Sequence, residues 1–220
     1  MSLPVYFLSR AQRTVPGRLA ACGWHCAPDG TLAEPEGFSN APALVFDDRA
    51  PLPDSPEPLA ASLLRAADRL GAEAIILDFE RTPDGRAQTL TRLLSARCRT
   101  AAPDRIAEPP CEPIFCFCPA AQTFPEFLEN ARGWIELRPV RETVRYALDG
   151  PMQPAGGTDR FSEQLQCRYR ARTEENDLVL ELFDTPETFR ARFALLKDRF
   201  TAAVALINEL TAFGLTAGPL

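Results

Sequence analysis

Asp78 and Glu80 close the run Gly71-Ala72-Glu73-Ala74-Ile75-Ile76-Leu77-Asp78-Phe79-Glu80, and their types and spacing are suited to acid chemistry. Side chains alternate across a strand, so Ile76, Asp78 and Glu80 share one face while Ile75, Leu77 and Phe79 share the other. The two carboxylates then stand roughly 6–7 Å apart at Cβ. A buried glutamate beside another carboxylate has its pKa raised, which suits a general acid. The plainer alternative is that two acids end a strand and meet water. Both faces are apolar up to Leu77, as in a parallel strand covered on both sides. Polarity begins only at the C-terminal end, where parallel sheets and barrels gather their ligand sites. By the same strand-end placement, Asp47 and Asp48 after Ala43-Leu44-Val45-Phe46 are candidate substrate-binding groups, as are Glu136 and Arg138 in Trp134-Ile135-Glu136-Leu137-Arg138.

The elements that would position these groups alternate. Val5–Leu8 reads as a strand, and prolines and glycines leave the rest of residues 1–42 without a clear pattern. Strands are expected at 43–47, 74–80, 113–118 and 134–138, neighbouring in a parallel sheet. A helix from about Pro56 to Leu70 carries Leu59, Leu63, Ala67 and Leu70 on one face, with Ser55 as its cap and Gly71 at its end. Asp84-Gly85 opens a second helix with Leu90, Leu93 and Leu94, and a proline-rich loop holding Pro103, Pro109, Pro110 and Pro113 follows. Thr123 caps a short helix. Residues 165–172 and 178–183 form a hairpin whose first strand lines up Gln166, Arg168, Arg170 and Arg172, either an anion site or a solvated face. Thr185 caps and Pro186 opens a long helix with Phe189, Phe193, Leu196 and Phe200 as its stripe. Ala202–Ile207 fits a helix extension or a last strand.

The chain has 220 residues, about the floor for a (β/α)8 barrel. The expected fold is therefore α/β, a compact or incomplete (β/α)8 TIM-type barrel, in one domain over 1–220 with a hairpin insertion at about 164–184. Net charge is −6 with acids and bases interspersed, so no nucleic-acid partner is expected. No run of about 18 apolar residues exists, and no membrane span is expected. The first residues carry no signal-peptide pattern, from which a cytoplasmic location is expected. The seven cysteines match no standard zinc spacing, although Cys22 and Cys26 flank His25 and Cys111, Cys116 and Cys118 cluster. They read as reduced thiols, and no metal or cofactor is expected.

Glu73-Ala74-Ile75-Ile76-Leu77-Asp78-Phe79-Glu80 resembles the catalytic strand of glycoside hydrolase family 18, the chitinase-like barrels, whose signature is Asp-x-x-Asp-x-Asp-x-Glu. The last Asp and the Glu are present as Asp78 and Glu80, and Phe79 stands at the usual aromatic. The first Asp is replaced by Glu73 and the second by Ile76. The resemblance implies that Glu80 is the general acid and that Asp78 orients a substrate acetamido group that acts as internal nucleophile, an exception to the two-carboxylate scheme. The ending Leu180-Glu181-Leu182-Phe183-Asp184-Thr185 and its helix resemble spore-cortex hydrolases of that family, which implies spore association. Their terminal tryptophan is absent, and Ile207-Asn208 stands there. With Ile76 in place of an inner acid, the implied function is a barrel with a degenerate site that binds or acts on an N-acetylated glycan of chitin or peptidoglycan type, with weak or no turnover. Two alternatives accompany it: a non-catalytic scaffold or protein-interaction barrel, and another barrel enzyme using Asp47, Asp48, Glu136 and Arg138. The oligomeric state is not legible.

Overall fold

Short apolar runs alternating with helices build most of the chain, and a computed structural model describes residues 3–15, 17–81, 84–148 and 157–214. Strands β1 (Val5–Ser9), β2 (Arg18–Cys26), β3 (Leu32–Ala33) and β4 (Ala43–Asp47) precede α1 (Glu57–Leu70), β5 (Ala74–Asp78), α2 (Gly85–Ser95), β6 (Arg99–Pro103) and β7 (Glu112–Cys116). Then come α3 (Phe124–Asn130), β8 (Trp134–Leu137), β9 (Arg141–Ala147), β10 (Arg160–Ser162), β11 (Cys167–Glu174), β12 (Asp177–Phe183), α4 (Pro186–Leu196), β13 (Ala202–Leu206) and α5 (Ile207–Ala212). Eight parallel strands close into a TIM-type barrel in the order β1-β2-β4-β5-β6-β7-β8-β13, with β13 paired back to β1. The barrel is thus compact and complete.

Two strands that close it lie where the sequence reads differently. β2 sits in the segment without a pattern, and β6 occupies the first residues of the proline-rich stretch. The expected neighbours at 74–80 and 113–118 are therefore separated by β6. β5 ends at Asp78, β7 at Cys116 and β8 at Leu137, each short of the expected boundary. Ser55 does not cap α1: Pro56 is the N-cap and makes no side-chain bond, while Gly71 closes the helix in the left-handed region at φ 66°. Residues 202–206 are a strand, and the short α5 begins at Ile207. The hairpin is part of a four-stranded antiparallel sheet, β10-β11-β12-β9.

Among the described residues the chain divides into two units. The first is drawn from Met1–Phe115, Arg132–Glu136 and Phe200–Ile207. It holds the barrel strands apart from the last residues of β7 and β8. Alternation sorts its side chains into two cores. Tyr6, Ala20, Ala43, Val45, Ala74, Ile76, Ala101, Trp134 and Val204 fill the interior, joined by Leu8, Cys22 and Ile114. Leu44, Phe46, Ile75 and Leu77 point outward onto Leu59, Leu63 and Leu70 of α1 and Leu90 and Leu94 of α2. Each such leucine contributes roughly 1.5–3 kcal/mol by leaving water. Tyr6 stacks on Trp134 at 5.0 Å, which explains why many of the remaining interior positions are alanine. At the N-terminal end the Tyr6 hydroxyl donates to Glu73 (2.8 Å), which also pairs with Arg18, and Arg99 and Thr201 bond Glu112. Gly133 has φ +112°, and a Cβ there would lie 2.8 Å from the Pro113 carbonyl. Gly133→Ala should cost at least about 1–2 kcal/mol from the backbone conformation, read as a lower denaturation midpoint at unchanged m.

The second unit is drawn from Cys116–Ala131, Leu137–Arg199 and Asn208–Leu220. One sheet face buries Val140, Cys167 and Leu182, with Val144, Tyr169 and Leu180 against them. On the other, the expected arginine stripe is answered in place: Arg170 pairs with Asp159 and Glu181, and Arg172 with Glu174 and Glu181. These charges neutralise one another, as on a solvated sheet face. Thr185 and Thr188 form a capping box at the start of α4, and Thr123 and Glu126 form one at α3.

Candidate active site

Every strand of a parallel barrel ends at the same rim, so the interior-facing residues nearest that rim form its mouth. On β5, Ile76 belongs to the apolar interior and is 2% exposed, and alternation places Asp78 on the same face one layer higher. Register sets Val45 beside Ile76 and Asp47 beside Asp78. Trp134 is interior on β8, so Glu136 also faces the mouth. Glu73 stands at the opposite end of β5, roughly 16 Å along the strand from Asp78, where it serves the N-terminal closure.

Two of the acids have protein partners. Arg49 bonds Asp47 through both guanidinium and backbone nitrogens. Loss of water raises the Asp47 pKa, but those bonds outweigh it and hold the carboxyl below its ordinary value. The Asp48 carboxylate accepts from the amides of Glu80 (3.1 Å) and Arg81 (2.8 Å). It thereby fixes the backbone that leaves β5, and the Arg105 guanidinium adds a bond to the Phe79 carbonyl. Glu80 is exposed just past the strand. The expectation of a buried glutamate gives way here, because β5 ends two residues earlier.

The upward shift falls on Asp78, whose carboxyl is pushed up to about 6. Water reaches this side chain, yet it sits in a mouth crowded with protein. Lost hydration is the largest cause, followed by the charges of Glu80, Glu136, Asp47 and Asp48. A folded-state pKa above the ordinary carboxylate value means the native protein binds the extra proton between about pH 4 and 6, so ionisation above that window weighs against folding. Asp78→Asn should therefore raise Tm near pH 7.5 by no more than about 2–4 °C, since solvent screens an exposed group. The gain should vanish below about pH 4, and a melting series over that range checks both ends.

The mouth thus brings Asp47, Asp48, Asp78, Glu80 and Glu136 into one electrostatic neighbourhood. Arg138 is exposed, one residue past β8 in the second unit, where its carbonyl accepts from Arg192 (3.3 Å). Arg49 and His25 join the mouth without having been foreseen. The signal for His25 was Gly23, because a glycine inside a strand marks a bulge. All seven cysteines are free thiols, and burial pushes Cys22, Cys111 and Cys167 up to about 12, which disfavours their thiolate forms. Among the described residues no helix is long and apolar enough to cross a membrane.

No family model matches the sequence, and no curated protein matches it. Solved structures do. The spore cortex-lytic enzyme SleL of Bacillus cereus superposes with a TM-score of 0.55 at 12% identity, covering 94% of this chain and 71% of that one. A class V chitinase from Nicotiana tobaccum gives 0.59 at 11% identity, covering 98% and 97%. A glutamate-to-glutamine variant of that chitinase in complex with NAG4 gives 0.54 at 11% identity. The chain is similar to these proteins in fold.

Proposed function

We propose that this chain is a degenerate member of the chitinase-like glycoside hydrolases, binding an N-acetylated glycan at the barrel mouth with weak or no turnover. One observation carries the reading: Asp78 ends β5 at the mouth with Glu80 exposed two residues beyond it, while the layer below Asp78 holds Ile76 inside the apolar core. In substrate-assisted hydrolysis Glu80 would deliver the proton and Asp78 would orient the acetamido group. An inner acid would share the proton of Asp78 and ease its change of partner during turnover. Ile76 can neither accept a hydrogen bond nor carry charge. The fold shared with two glycan-associated enzymes, one solved with NAG4, supports a glycan as the ligand. Asp47, Asp48 and Glu136 would contact its hydroxyls.

The acetamido group gives the test. Calorimetric titration with an N-acetylglucosamine tetramer and with a glucose tetramer should show preference for the former. Asp78→Ala should erase most of that preference, because the group that reads the acetamide is gone. Equal affinity for both sugars in the wild type would reject the assignment.

A further inference from the structure

The pairing of β2 with β4 runs Ala20 to Ala43, Ala21 to Leu44 and Cys22 to Val45, then skips a residue and resumes with Trp24 to Phe46 and His25 to Asp47. The skipped residue is Gly23, at φ +111°, a conformation side chains rarely adopt, and a Cβ there would meet Pro35 at 3.2 Å. An unbroken alternation from Ala20 and Cys22 would turn Trp24 into the barrel and His25 out of it. The bulge reverses both. Trp24 goes outward into the core around α1, 2% exposed, and His25 goes inward.

His25, Asp47 and Asp78 consequently stand in one row across three adjacent strands at the mouth. His25 is half-buried. Its Nδ1 lies 2.8 Å from the Gly23 carbonyl. A carbonyl oxygen can only accept, so Nδ1 carries the hydrogen and the ring is held by the bulge itself. That leaves Nε2 at the tip of the ring as an acceptor when the imidazole is neutral and a donor when it is protonated. The ionised acids of the row can only accept. His25 is the chain's single histidine.

We propose that His25 is a ligand-contacting residue of the mouth, turned inward by the Gly23 bulge so that Nε2 hydrogen-bonds a hydroxyl or amide of the bound glycan. The inference rests on the glycan reading above and adds a contact to it. Two variants separate contact from mere structure. Asparagine can place a polar group near the Nδ1 position and keep the bond to Gly23. Glutamine can place one near Nε2.

The experiment uses untagged protein, whose one histidine gives one set of ring signals, titrated with the N-acetylglucosamine tetramer and followed by NMR and calorimetry. The ring signals of His25 should shift with the same midpoint as the heat. His25→Asn should weaken binding about five- to tenfold and His25→Gln no more than about twofold, the scale of one neutral hydrogen bond. A tetramer that binds without moving the ring signals, or an asparagine variant that binds as tightly as wild type, overturns the contact while the glycan reading stands. A tetramer that does not bind wild type at all removes both. The wild-type ring signals decide the question even if a variant folds poorly.

Discussion

Asp184→Ala should destabilise the protein by about 3–5 kcal/mol, the cost of stranding a buried charge. Asp184 and Arg192 pair in the second unit at 2.5 Å with side chains 0% and 5% exposed. The bond is bidentate, and Asp184 also accepts from the Val140 amide (2.8 Å) and the Thr188 hydroxyl (3.0 Å). Arg192 reaches the carbonyls of Gln166 and Arg138 and packs between the rings of Phe117 and Phe189. Each group is fully used, so removing one leaves the other charged, desolvated and short of partners. By the size of the chain the loss should lower Tm by roughly 6–20 °C. The double change Asp184→Leu with Arg192→Met removes both charges together and should cost distinctly less than the two single changes summed. Single variants melting within a degree of wild type would show that the pair is not the anchor of this unit.

Glu80→Gln should remove whatever hydrolysis the wild type retains. General acid catalysis contributes about 10²–10⁴-fold, and Glu80 is the group that would supply it. The change keeps shape and loses the proton, and Asp48 bonds only the Glu80 backbone, so the local fold should persist. Ligand affinity should stay within about twofold of wild type. A slow wild-type rate unaffected by Glu80→Gln would move the residual chemistry to another group, with Asp78 the first to examine.

The sequence carried the fold's outline through alternation and caps. Ala74–Asp78 and Ala43–Asp47 are apolar on both faces and bounded by turn residues, so they were legible as buried parallel strands. The start of α4 was equally clear, because Thr185 and Pro186 leave the backbone few choices. β6 was not, because Pro103 ends it and the prolines beyond it read as loop, although Thr100, Ala101 and Ala102 are buried. β2 was hidden by Gly23, since a bulge breaks the period of two that identifies a strand. The same residue hid His25: counting along an unbroken strand puts it on the wrong face. Asp78 was placed on the interior face at the end of its strand from type and spacing, and Ile76 beneath it from the same alternation, whereas Glu80 falls past the strand. Asp47 and Glu136 were named from their strand ends; that their charges act on Asp78 was not legible, because it needs three separate stretches closed into a barrel. The salt link of Asp184 with Arg192 was likewise invisible, though the two are eight residues apart.

The central claim is that the mouth binds an N-acetylated glycan that it turns over weakly or not at all. It is tested most directly by incubating the wild-type protein with an N-acetylglucosamine tetramer, measuring affinity by calorimetry and products by mass spectrometry in the same samples. Saturable binding with the tetramer recovered largely uncleaved is the expected result. Rapid cleavage abolished in Glu80→Gln would contradict the degenerate site, and absence of binding would contradict the glycan itself.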